Sequence, residues 1–166
     1  WNKYGNRALY STYKGDSAQN ICEVIFPDHK NPIHITKWYV DGIHFAIGSN
    51  DIKTHTGLLD SLSLLLQRLP GLKICIKGYA DGLTGNTISN NLLSLARANS
   101  VAKYLVQKGV TPLQLKVEAG GENSPISIAA APNRRVEFSI IEQDKKERVI
   151  IIHTNQKRLS QSTFVP

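Results

Sequence analysis

Between residues 54 and 141 the hydrophobic period of the chain switches repeatedly between helical and strand spacing, and this alternation limits the folds open to it more than any other feature. Leu58, Leu62, Leu65 and Leu69 line one face of a helix predicted over residues 54–69, which Pro70 and Gly71 close. Residues 72–78 then alternate: Leu72, Ile74 and Ile76 point one way, Lys73, Cys75 and Lys77 the other. A second helix is predicted over residues 88–108, ended by Gly109 and followed by Pro112. Strands follow at 115–119 and 134–141. The polar face of the 72–78 strand implies that one side of the sheet meets water. The expected fold is therefore an α/β two-layer sandwich, a mixed four-stranded sheet with helices on one face.

The flanks read differently. Residues 1–36 look like an N-terminal arm in which only ICEVIF (21–26) is dense enough for a strand, with Pro27 and Pro32 punctuating a link. The compact domain is expected over 37–142, opening near Trp38 with WYVDGIHFAIG as an interrupted first strand. Residues 143–166 form a basic extension with a candidate edge strand at 149–153. The chain starts at Trp1 and holds no methionine; it reads as processed or trimmed, so any signal peptide or lipid-bearing cysteine would lie outside it.

A net charge of +7 favours anionic partners, but several functional classes find no support. No apolar run approaches the roughly 18 residues of a membrane helix. Two cysteines, Cys22 and Cys75, are too few for a zinc cluster or a disulfide scaffold; one bridge between them could form in an oxidising compartment, and two buried free thiols are the favoured reading. The five histidines lack metal-ligand spacing, and nucleophile motifs and phosphate loops are missing, so neither an enzyme nor a cofactor is expected. The basic tail has no interleaved aromatics, and no nucleic-acid partner is expected.

What remains is an acid and several arginines placed where strands and helices meet. Asp81 lies just past the carboxyl end of the 72–78 strand, Arg97 lies within the second helix, and Arg134 and Arg135 open the last strand. A carboxylate can hold an ammonium and a guanidinium can hold a carboxylate, so such a set suits a zwitterion. Each residue also has a plainer reading. Asp81 could be a turn aspartate in ADG. On the second helix, Asn90, Leu93, Ser94, Arg97, Ala98, Val101 and Leu105 share one face, while Ile88, Leu92, Leu95, Ala102 and Val106 share another. Periodicity leaves open which is inward, and from the helix alone Arg97 is most simply a surface residue. Strand parity places Arg134 with Val136, Phe138 and Ile140 toward the helices, and Arg135 with Glu137 and Ser139 toward solvent.

The word NxxLSxxRAxxV, matched by Asn90, Leu93, Ser94, Arg97, Ala98 and Val101, together with GYAD (78–81) and NRRVEF (133–138), resembles the OmpA C-terminal-like family of peptidoglycan-binding domains. The resemblance runs from about residue 40 to 141. It implies that Arg97 faces inward, that Leu92 and Leu95 face outward, and that the domain binds peptidoglycan without catalysis. Asp81 would take the ammonium of stem-peptide diaminopimelate, Arg97 and Arg134 its carboxylate, with hydrogen bonds from Thr84 and Asn90. Asn90 could equally be a helix-entry residue. The family context implies a periplasmic, outer-membrane-associated protein. The added arms suggest a lipoprotein subunit of a large complex such as a type IV secretion core, with other protein subunits as partners and membrane contact only through a lipid anchor. The alternative is a structural subunit that kept the fold and lost wall binding. Four departures stand out: Ala46 follows Phe45 where the family carries an acid; GHTD becomes GYAD; the Asp81–Arg97 spacing is one residue long; and ISIAAAP (126–132) is short and apolar.

Overall fold

The computed structural model describes residues 21–26, 33–40 and 42–153. Its centre is a four-stranded sheet of order β3-β6-β4-β5, built from β3 (Ile43–His44), β4 (Lys73–Gly78), β5 (Leu115–Ala119) and β6 (Arg135–Glu142). β4 runs parallel to β5 and antiparallel to β6, and β3 pairs antiparallel with β6, so the sheet is mixed, as expected. The helices α1 (Thr56–Arg68) and α2 (Thr87–Gln107) supply the second layer. Leu58, Leu59, Leu62, Leu65 and Leu66 of α1 are buried with Ala98, Val101 and Leu105 of α2 over Ile74, Ile76, Val136 and Phe138. The opposite face carries Lys77, Lys116 and Glu118 as ion pairs at 3.7 and 2.7 Å. Cys75 is buried there as a free thiol whose pKa is pushed up by burial and by the Glu118 charge.

The segments flanking this sheet meet each other. β1 (Ile21–Phe26) pairs antiparallel with β2 (Ile33–Val40), and β2 pairs parallel with β7 (Glu147–His153). The strand candidates at 21–26 and 149–153 are thus strands of one second sheet. The interrupted first strand divides between two sheets, β2 in one and β3 in the other. Trp38 and Val149 are buried with the main core, and the Trp38 ring lies 5.4 Å from that of Phe138. Cys22 pairs with Lys37 in the backbone register of β1 and β2; its side chain lies outside the described residues, as do Tyr4, Tyr10, Tyr13 and the 154–166 tail. A short helix, α3 (Ala130–Asn133), occupies the apolar stretch before β6.

Candidate functional site

β4 ends at Gly78, where it touches α2 so closely that a Cβ would overlap the Ser94 carbonyl. Only glycine permits that approach, and it brings the middle of α2 against the residues that follow the strand. The buried face of α2 is Asn90, Ser94, Arg97, Ala98, Val101 and Leu105, while Ile88 and Leu92 are 75% and 65% exposed. Arg97 therefore points inward, and the plainer surface reading of it is wrong.

Arg97 is fully buried, with no direct carboxylate partner among the described residues. Its Nε donates to the Ser49 carbonyl at 2.8 Å, Nη1 to Tyr79 O at 2.8 Å and Nη2 to Ala46 O at 3.1 Å. The guanidinium also sits 5.1 Å from the centre of the Phe45 ring. Of its five N–H groups, these bonds leave one on each Nη for another acceptor. Burial, and then the Arg134 charge, lower its pKa to about 10 against the opposing pull of Asp81. Arg97 therefore stays cationic at neutral pH, in a place where an anion would be welcome.

Asp81 is also buried. One oxygen, Oδ1, closes the loop into α2: it accepts from the Leu83 amide at 3.2 Å, the Thr84 amide at 2.9 Å and the Thr84 hydroxyl at 2.8 Å. The other, Oδ2, has only Arg134 Nη1, at 3.5 Å, among the described residues. Burial raises the Asp81 pKa, but the Thr84 hydroxyl, Arg134 and the two amides together outweigh it and hold the carboxyl below its usual value. The lengthened loop is accommodated by this ring of bonds, by Gly85 at φ +76°, and by Asn86, which caps α2 in a reciprocal pair with Ser89.

Arg134 precedes β6 rather than opening it, so strand parity is not what aims it. Its Nε donates to Phe45 O at 2.9 Å and its carbonyl accepts from the Phe45 amide at 2.9 Å. This pairing across to β3 carries the guanidinium to Asp81. Arg135 corrects the sequence reading outright. Its parity is as expected, since β6 pairs Glu137 with Lys77 on the helix-free face, but Arg135 is 1% exposed. The Tyr79 ring and the 120–133 connection cover that end of the sheet.

Thr84 acts through Asp81, and Asn90 acts as a clamp. The Asn90 amide donates both to Asp81 O at 3.1 Å and to Glu122 Oε2 at 2.7 Å. Asp81, Thr84, Asn90 and Arg134 thus form one bonded cluster, with Arg97 beside it coupled by charge.

The sequence profile of the OmpA family matches residues 44–138, more than half of the chain. This chain belongs to the OmpA family. It is 30% identical over 113 residues to outer membrane protein P5 of Haemophilus influenzae, covering 59% of this chain and 32% of that protein. It is 34% identical over 98 residues to the peptidoglycan-binding protein ArfA of Mycobacterium tuberculosis, covering 56% of this chain and 30% of that one. The chain thus spans about a third of the length of these curated relatives. Among solved structures, the C-terminal domain of Helicobacter pylori MotB superposes with a TM-score of 0.58 at 28% identity, covering 64% of this chain and 88% of that one. The peptidoglycan-associated lipoprotein of Burkholderia pseudomallei has the same fold, with a TM-score of 0.59 at 24% identity over 61% of this chain and 91% of that one.

Within this OmpA-family fold, three participants escaped sequence reasoning. Glu122, in the loop after β5, accepts from Thr87 Oγ1 at 3.0 Å as well as from Asn90, joining the start of α2 to the 120s loop. Asn133 Oδ1 accepts from the Ile126 and Ser127 amides while its Nδ2 donates to the Ser127 and Ala129 carbonyls, shaping the apolar loop that leads to Arg134. Ala46 has no polar side chain to offer, yet its carbonyl accepts from Arg97. A main-chain acceptor leaves no trace in residue identity, so only the polar side chains of Glu122 and Asn133 could have signalled a role. Among the described residues no helix is long and apolar enough to cross a membrane, and no cluster of possible metal ligands occurs.

Proposed function

We propose that this chain is a non-catalytic wall-binding domain that takes the diaminopimelate of peptidoglycan stem peptides. From the periplasm it would tether an outer-membrane-associated assembly, such as a type IV secretion core complex, to the cell wall. One observation carries the reading: Asp81 Oδ2, with only a 3.5 Å contact to Arg134, lies in the same cluster as guanidinium groups not fully occupied by the main chain. Asp81 offers the oxygen an ammonium needs, and Arg97 and Arg134 offer planar donors for the adjacent carboxylate. Thr84 and Asn90 hold the loop that presents the acid. Family membership and the naming of ArfA as a peptidoglycan-binding protein support the same direction.

The test is co-sedimentation with two kinds of sacculi, one carrying diaminopimelate and one carrying lysine, which lacks the side-chain carboxylate, at that stem position. Wild type should pellet with the first and far less with the second, and the folded variants Asp81→Asn and Arg134→Ala should stay in solution. Equal pelleting with both kinds, or no effect of either substitution, would sink the zwitterion reading. The exposed Ile88 and Leu92 on α2 favour a second reading, a structural subunit docking other proteins; wild type that never pellets would favour it.

A further inference from the structure

Arg135 is a buried cation that the proposed binding site does not use directly. Its Nε donates to Glu137 Oε1 at 2.7 Å, its Nη2 to Ser124 O at 3.1 Å and its Nη1 to Asn133 O at 3.5 Å. The guanidinium stacks 4.0 Å from the centre of the Tyr79 ring. A buried ion pair adds little net stability over an apolar filling, so stability alone is a weak account of this one. What the contacts do is join the two walls of the site from behind. The Tyr79 carbonyl is the acceptor that holds Arg97 Nη1, and its amide donates to Arg135 O at 2.8 Å. Tyr79 is also two residues before Asp81, and Ala80 between them donates to Gly121 O at 2.7 Å. On the other wall, Asn133 directly precedes Arg134. Ser124 carries the non-glycine positive φ of the described residues, +59°, a conformation that needs outside support, and Arg135 bonds its carbonyl.

We propose that Arg135 is a positioning residue. Through the Tyr79 ring and the Ser124 and Asn133 carbonyls, it sets the peptide plane that orients Arg97 and the spacing between Asp81 and Arg134. It touches no ligand. The inference rests on the wall-binding reading for its consequence in affinity, but its geometric content stands apart from that reading. Arginine is required because one planar group must stack on a ring and bond in three directions at once; lysine keeps the charge and loses both the plane and the fork.

The experiment compares wild type, Arg135→Lys and Tyr79→Leu, the last removing the stack while leaving the charge. Each is followed by its melting temperature, by the Arg97 Nε–Hε resonance without ligand, and by calorimetric titration with a soluble diaminopimelate-containing stem tripeptide. The expected result for both variants is a cooperative fold, a displaced Arg97 resonance, and binding weakened about tenfold, the scale of coupling through a packed network. A lowered melting temperature with an unmoved Arg97 resonance and unchanged affinity would reduce Arg135 to a structural residue and overturn the proposal. If wild type fails to bind the tripeptide, the wall-binding reading falls, and the Arg97 resonance alone decides whether Arg135 positions it.

Discussion

Replacing Arg97 with methionine keeps an unbranched apolar stem and removes the guanidinium with every donor. Tyr79 O inside the domain and Ser49 O in the loop after β3 then lose the Arg97 donor that holds them, and Ala46 O in the same loop keeps the Ser49 amide at 3.2 Å. An unsatisfied buried acceptor costs about 1–3 kcal/mol, and the Tyr79 carbonyl should bear that in full. The loop residue Ala46 is exposed and Ser49 half-buried, so water can replace much of what their carbonyls lose, at roughly 0.5–1 kcal/mol each. The stack on Phe45 is worth about 1 kcal/mol more. Against this stands the relief of no longer burying a guanidinium, which offsets part of the loss. The net expectation is a destabilisation of about 2–4 kcal/mol, toward the severe end for one substitution. With a urea m-value of ~1–3 kcal/mol/M, the unfolding midpoint should fall by roughly 0.7–4 M with m unchanged. Urea denaturation followed by circular dichroism measures this directly. A midpoint equal to or above that of wild type would refute the claim that the guanidinium organises these carbonyls, and would mark Arg97 as a charge held for a ligand alone.

Gly78→Ala should destabilise by about 3 kcal/mol, because the added methyl meets the Ser94 carbonyl of α2 and one backbone must retreat; a melting temperature within error of wild type would contradict that close approach. Asn86→Ala removes the side-chain half of the cap on α2 and should cost about 1 kcal/mol, read as a lower melting temperature with no change in secondary structure. Asp81 has a folded pKa below its ordinary 3.8, so the folded state binds fewer protons than the unfolded one between those two values. Its contribution is complete above pH 3.8 and is lost as pH falls through the lower folded value. Asp81→Asn should therefore be less stable than wild type at pH 6, with the gap narrowing as the pH drops below 3.8; a gap constant across that range would show that the Asp81 charge contributes nothing.

The two helices, the strand with its lysine-bearing face and the position of the acid at the strand end could all be read locally, because each depends on spacing along one segment. The inward turn of α2 could not. Both stripes of that helix are apolar, and the resemblance, not the period, singled out the face with Arg97; the contact between Gly78 and Ser94 is what realises it. Arg135 shows the complementary limit. Its parity on β6 follows from the sequence, yet parity states only which way a side chain points and not what covers it. Cover came from Tyr79 and from the Ser124 and Asn133 carbonyls, supplied by the end of another strand and by the connection before its own. The pairing of β2 with β7 was equally hidden, since residues 34–40 and 147–153 carry no local mark of each other.

By itself, then, the sequence determined the α/β layering through short-range period, and the family and the identity of the charged cluster through the resemblance of its motifs. Tertiary structure alone decided that Arg97 is held by three carbonyls, that Arg135 is buried, and that the chain's flanking strands meet. Burial and main-chain acceptance depend on neighbours far along the chain, and no local pattern encodes them.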